Sequence, residues 1–214
     1  MHNENTAVDV NSQVKEIKQS FRLFMNGVAS QSMRDKGLAY KINWGIPLPR
    51  LRDMASRYEP SAALAIALWQ SDVRECKLLA MMLMPADACD EITAKQWMAD
   101  CANQEMAEML AFHLLQKLPF AAQLVATLLP TAEGVQLLCL FQLFSRLVIK
   151  GFVADEALVN SLSDKVIEAF SGEDVALRHA ALNCVLRCVD SGQPAFLLLQ
   201  ENLKKHKIDF FDSH

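Results

Sequence analysis

Cys184 and Cys188 lie four residues apart in "ALRHAALNCVLRCV", a spacing that puts two thiols on one face of a helix. Two thiolates so placed could share a metal ion. His179 stands five residues before Cys184, off that face, and no fourth ligand is in register. The pair therefore reads as buried thiols, and no metal site is expected. His113, within "LAFHLLQK", has no Ser or Cys at nucleophile spacing and reads as a packed or groove histidine rather than a general base. The Met run at 81–84 is core filler on an Ala/Leu helix. No glycine-rich phosphate loop and no dinucleotide fingerprint occurs, so no cofactor is expected.

Charge offers a second kind of chemistry. The chain carries a formal net charge of -4, which argues against a generally nucleic-acid-coated surface. Between Arg34 and Tyr58, however, six basic residues (Arg34, Lys36, Lys41, Arg50, Arg52 and Arg57) face two acids, Asp35 and Asp53. This segment is a candidate basic surface. Near the C-terminus "NLKKHKIDFF" reads as a final helix with cations at its negative end and a Phe anchor.

The elements that carry these residues are helical. Hydrophobic residues make up 52% of the 214 but aromatics only 7%, so the apolar load is Leu, Ala, Val and Met, which favours helix over strand. Val14, Ile17, Phe21, Met25 and Val28 recur at spacings of three and four, predicting a first helix over Val10–Ser30. "MRDKGLAYKINWGIPLP" breaks it, Pro49 is placed to begin the next helix, and Pro60 to open another ending near Trp69. Polar breaks then recur at 70–72, 102–104, 130–134 and 171–174. Measured at Ser71, Asn103, Thr131 and Ser171 they are spaced by 32, 28 and 40 residues. Helix pairs at such periods are the mark of HEAT-like or armadillo-like solenoids. The expected fold is all-α: a right-handed solenoid of about five or six stacked antiparallel helix pairs. It would form a single domain over residues 11–207, with a flexible N-terminus at 1–10 and a tail at 208–214. Trp69 is expected to wedge between repeats, with Ser71 or Asp72 capping the following helix.

Six cysteines, no apolar leader segment in "MHNENTAVDVNS" and no uncharged stretch of spanning length suggest a reduced, cytoplasmic setting without membrane attachment.

Several stretches, in order, resemble the HEAT-like DNA alkylation repair glycosylases. The loop Gly45-Ile46-Pro47-Leu48-Pro49-Arg50, with Arg52 close by, is similar to a family loop of the form xGIxxPxxR. Leu68-Trp69-Gln70-Ser71 with Glu75 and Ala80 is similar to a family elbow, LWxSxxxE. "EMAEMLAFHLLQKLPFA" resembles the family's central helix and its Lys-x-Pro turn, and Val185-Leu186-Arg187 the end of a late helix. The likeness covers about residues 38–190.

This resemblance implies a concave surface holding duplex DNA by its backbone, and excision of positively charged alkylpurines. An aromatic ring and a carboxylate one turn apart would stabilise cation character on the sugar. The positions matching the catalytic Trp and Asp are Gln104 and Glu108; the family Arg falls near Gln136, and a second family Trp matches Cys184. No Lys or Arg occurs between Lys117 and Arg146. Only the carboxylate is kept, with neither ring nor guanidinium at the matching places.

The leading expectation is thus a DNA-binding module of that family with weak or no glycosylase activity. It would touch duplex DNA through Lys41, Arg50, Arg52 and Arg57, with Cys184 at a former DNA-facing position. Two alternatives stay open. One is an active N-alkylpurine glycosylase using Glu108, and the other a scaffold holding another protein in its groove.

Overall fold

The computed structural model describes residues 2–38 and 40–208, residues 2–8 through their backbone only. Twelve α-helices occur among the described residues, with no strand beyond an isolated bridge between Ile42 and Val73. The chain divides into two compact units, Met1–Ala94 and Lys95–His214, where the sequence leads one to expect a single domain over 11–207. Phe210 and Phe211 of the expected C-terminal anchor lie outside the described residues.

The first unit holds α1 (His2–Ser20), α2 (Gly27–Asp35), α3 (Leu48–Ala55), α4 (Ala62–Trp69) and α5 (Arg74–Leu83); the division falls inside α6 (Glu91–Ala99). Helix α1 packs on α4, and α5 on both α3 and α4. Ile17, Phe21, Leu64, Leu68 and Leu79 are buried there. The predicted helix over Val10–Ser30 is two helices. It stops at Ser20, passes through a 3-10 turn at Phe21–Leu23, and restarts where the Asn26 side chain accepts from Ala29 N at 3.0 Å. Asn26 N also donates to Trp44 O at 2.8 Å, tying the break to the following loop. Met25 and Val28, assigned to the buried face by their spacing, are exposed in consequence.

The elbow after α4 is held differently from the expectation. Neither Ser71 nor Asp72 caps α5. Its N-cap is Val73, which makes no side-chain cap, and Asp72 pairs instead with Lys41. The α5 entry is closed by the loop at 42–46: Ile42 N donates to Asp72 O, and Arg74 N to Ile42 O at 2.9 Å. Arg74 and Glu75, the charged residues of the elbow, are 1% and 0% exposed. The Glu75 carboxylate accepts from Trp44 N and Ile46 N, both at 3.2 Å, and from Arg74 Nη1 at 3.1 Å. Arg74 Nη1 also donates to Ile46 O at 3.1 Å. A carboxylate and a guanidinium so buried persist only because each is hydrogen-bonded as well as paired. The pair rivets the glycine loop to α5. Gly45 permits the close approach. Its φ is +71°, and a Cβ there would lie 2.1 Å from Asn26 O. Trp69 is buried at the end of α4 with the Lys77 ammonium 4.4 Å from its ring centroid.

The second unit contains α7 (Gln104–His113), α8 (Ala121–Leu128), α9 (Gly134–Ile149), α10 (Glu156–Ser171), α11 (Val175–Asp190) and α12 (Ala195–Lys205). Helix α9 packs between α7 and α11, while α10 packs on α11 and α12. Three of these helices begin at a side-chain cap, two of them at polar breaks that the sequence marks and one, at Asp155, where it marks none. Asn103, Asp155 and Asp174 accept from the backbone N–H of Met106, Leu158 and Leu177 at 3.0, 2.8 and 3.0 Å. Phe144 anchors the core of the unit, meeting Phe152 and Phe196 edge-on at 6.2 and 6.1 Å.

Candidate nucleic-acid interface

Gln104, Glu108 and Phe112 follow each other at intervals of four along α7 and so form one stripe. The Gln104 amide donates to Glu108 Oε1 at 2.8 Å. Glu108 is half-buried. From α9, Arg146 lays its guanidinium over Phe112, 4.4 Å from the ring centroid. Burial lowers the Arg146 pKa, and the Glu108 charge acts in the opposite direction. Arg146 Nε is buried without a hydrogen-bond acceptor among the described residues. The expectation that Glu108 has no ring or guanidinium near it is therefore corrected. Both are present, supplied from positions other than the family's. The signal for Phe112 was the continued spacing of four; Arg146 comes from the far end of α9, which the local spacing of α7 could not show.

Arg146 also borders a groove of about 410 Å³ between α9 and α11, with Gln142 and Ile149 on one side and Asn183, Arg187 and Asp190 on the other. Arg187 Nη1 stands 3.9 Å from Asp190 Oδ2. Two guanidiniums and one carboxylate line the groove. With Glu108 counted, the charges balance, so the groove is mixed rather than basic.

The other predicted residues fall elsewhere. Gln136 is half-buried near the start of α9. It lies ten residues from Arg146, about 15 Å along the helix. Cys184 is fully buried in α11 and offers no surface to DNA. Its side chain lies in the core beside Cys188, whose thiol is pushed up by the Cys184 hydrogen bond and by burial. In the first unit, Lys41 is engaged by Asp72, and Arg50 by Asp53 at 3.6 Å and by the Phe24 ring at 4.8 Å. Arg57 borders a small pocket with Glu16 and Tyr58, and Arg52 is exposed on α3. Two of the six cations between residues 34 and 58, Lys41 and Arg50, are thus paired within the protein.

No group of three or more His, Cys, Asp or Glu is arranged to hold a metal among the described residues. All six cysteines are buried and free. Burial pushes Cys76 and Cys89 up to about 11, which leaves little thiolate for nucleophilic work. No helix among the described residues is long and apolar enough to cross a membrane.

Residues 17–131, more than half of the chain, match the family model described as DNA alkylation repair enzyme. The chain belongs to the DNA alkylation repair enzyme family. The match takes in the 42–46 loop, the Arg74–Glu75 elbow and the Gln104–Glu108–Phe112 stripe, and ends before α9, so Arg146 and Arg187 lie beyond it. Among solved structures, the chain is similar to one described as a new family of proteins related to the HEAT-like repeat DNA glycosylases, with affinity for branched DNA structures. The two agree with a TM-score of 0.75 over 89% of this chain and 82% of the other, at 13% identity. At that identity the likeness is one of fold, and it makes this DNA alkylation repair family member a HEAT-like all-α protein. No curated protein sequence matches the chain.

Proposed function

We propose that this family member binds duplex DNA through the face formed by α7, α9 and α11, and excises alkylated bases weakly or not at all. The observation that carries this reading is the guanidinium of Arg146 lying on the Phe112 ring. A sugar that gains cation character is stabilised by an open π face and a carboxylate. Here a cation already occupies the ring, and the Glu108 carboxylate is already engaged by Gln104. A second positive charge brought to that ring meets repulsion. The same guanidinium lines the α9–α11 groove, where it suits a phosphate oxygen. Arg187 across the groove supplies a second cation. The structural neighbour's affinity for branched DNA supports a DNA-binding role. Arg50, Arg52, Arg57 and Lys41 add backbone contacts in the first unit, Lys41 and Arg50 only by exchanging their carboxylate partners for phosphates.

Duplex binding is expected to weaken steeply with salt. The double substitution Arg146→Ala and Arg187→Ala should flatten the log–log salt dependence by about 1.8, at about 0.9 per cation removed. A scaffold without a nucleic-acid role would show neither binding nor slope. An active glycosylase would release 7-methylguanine and lose that release in Glu108→Gln.

A further inference from the structure

On the first unit, α1 and the 42–46 loop enclose a groove of about 370 Å³ with a composition unlike the α9–α11 groove. Lys15 and Lys18 line it from α1, and Arg22 from the 3-10 turn that follows, so three cations border one groove within seven residues of chain. Trp44 lines it from the loop. Among the described residues no acidic side chain lines it, although the chain as a whole is acidic. All three cations are exposed and have no ion-pair partner among the described residues, in contrast to Lys41 and Arg50. Glu16, the nearby acid of α1, borders the separate pocket that holds Arg57 and Tyr58. Trp44 is half-buried, and its backbone is fixed on both sides, N–H to Glu75 and carbonyl to Asn26. The indole is therefore presented from a clamped loop rather than a free one.

We infer that this groove takes an unpaired nucleotide of a DNA single strand, with Trp44 stacking on the base and Lys15, Lys18 and Arg22 holding the flanking phosphates. In a duplex the base faces are already stacked on one another, so an aromatic ring set among cations gains nothing from paired DNA beyond charge. An unpaired base offers it a face, and every base has one. The inference rests on the DNA-binding reading above and gives it a second, strand-specific site.

The test is fluorescence anisotropy with a labelled oligothymidine strand and, separately, a blunt duplex of equal length. Trp44→Ala is expected to weaken strand binding about tenfold and leave duplex affinity unchanged, while Trp44→Phe, which keeps an aromatic face, holds most of the strand affinity. Replacing Lys15, Lys18 and Arg22 together by Gln should reduce the salt slope of strand binding by about 2. These three side chains are exposed, so this variant also gives a readout if Trp44→Ala fails to fold. Trp69 and Trp97 are buried, so quenching of intrinsic fluorescence by the strand should vanish in Trp44→Phe. Strand affinity unchanged in both the Trp44→Ala and the triple variant overturns the inference, as does an equal loss for strand and duplex. Duplex binding without strand binding in the unmodified protein sinks this site and leaves the function proposed above standing. Strand binding without duplex binding does the reverse.

Discussion

Glu75→Ala should destabilise the protein by about 4 kcal/mol, lowering its melting temperature by roughly 10 °C. Glu75 is wholly buried, and its two oxygens serve the N–H groups of Trp44 and Ile46 and the guanidinium of Arg74. Removing it strands two backbone donors and takes the paired carboxylate from the buried Arg74 charge. Replacing the pair together, Arg74→Met with Glu75→Leu, removes the buried guanidinium with its carboxylate and should recover part of the loss. It cannot recover all of it, because Trp44 N, Ile46 N and Ile46 O remain without their side-chain partners. Thermal unfolding followed by far-UV circular dichroism reads both variants. A Glu75→Ala protein as stable as the parent would mean that the loop is held by something other than this carboxylate.

Gly45→Ala should cost at least about 3 kcal/mol, from left-handed backbone strain and steric overlap together. A Cβ at this position meets Asn26 O at 2.1 Å and Ser30 N at 2.7 Å, and both are backbone atoms of the α2 start, unable to swing aside. Gly37 is the control. Its φ is +81° but a Cβ there meets nothing within 4 Å. Gly37→Ala should therefore cost only the strain, about 1 kcal/mol. Urea titration of the two variants separates the terms. Equal losses would show that the approach of the loop to α2 is not the constraint.

How much of this was legible in the sequence differs from element to element. The polar breaks at Asn103 and Asp174 announce helix starts because an N-cap acts over three residues, a range that a local pattern contains. The break at 70–72 looks the same but behaves differently, since Asp72 and Arg74 are committed to residues about thirty positions earlier. Likewise "RE" reads as a charged surface elbow, and only the loop that descends on it makes it a buried pair. Apolar spacing continues through Met25 and Val28 and so predicts too long a first helix. A single Asn at 26, accepting locally and donating to Trp44, outweighs that periodicity. At the candidate site, Gln104 and Glu108 were rightly placed on one face by their spacing. Their guanidinium neighbour was not found, because Arg146 lies 38 residues beyond Glu108 and arrives through the packing of α9 on α7. The basic segment at 34–58 shows the opposite error. Its charge is countable, but Lys41 and Arg50 are partnered, while Lys15, Lys18 and Arg22, in a segment the apolar spacing marks only for its buried face, line a groove without an acid among the described residues.

The most direct test of the central claim is a single-turnover incubation of methylated duplex DNA with enough protein to bind all of it, followed by measurement of free 7-methylguanine. The account predicts a saturated complex with the methylated bases still attached. Release of 7-methylguanine that is abolished by Glu108→Gln would contradict it, and would show that Glu108 works on the sugar despite the cation resting on Phe112.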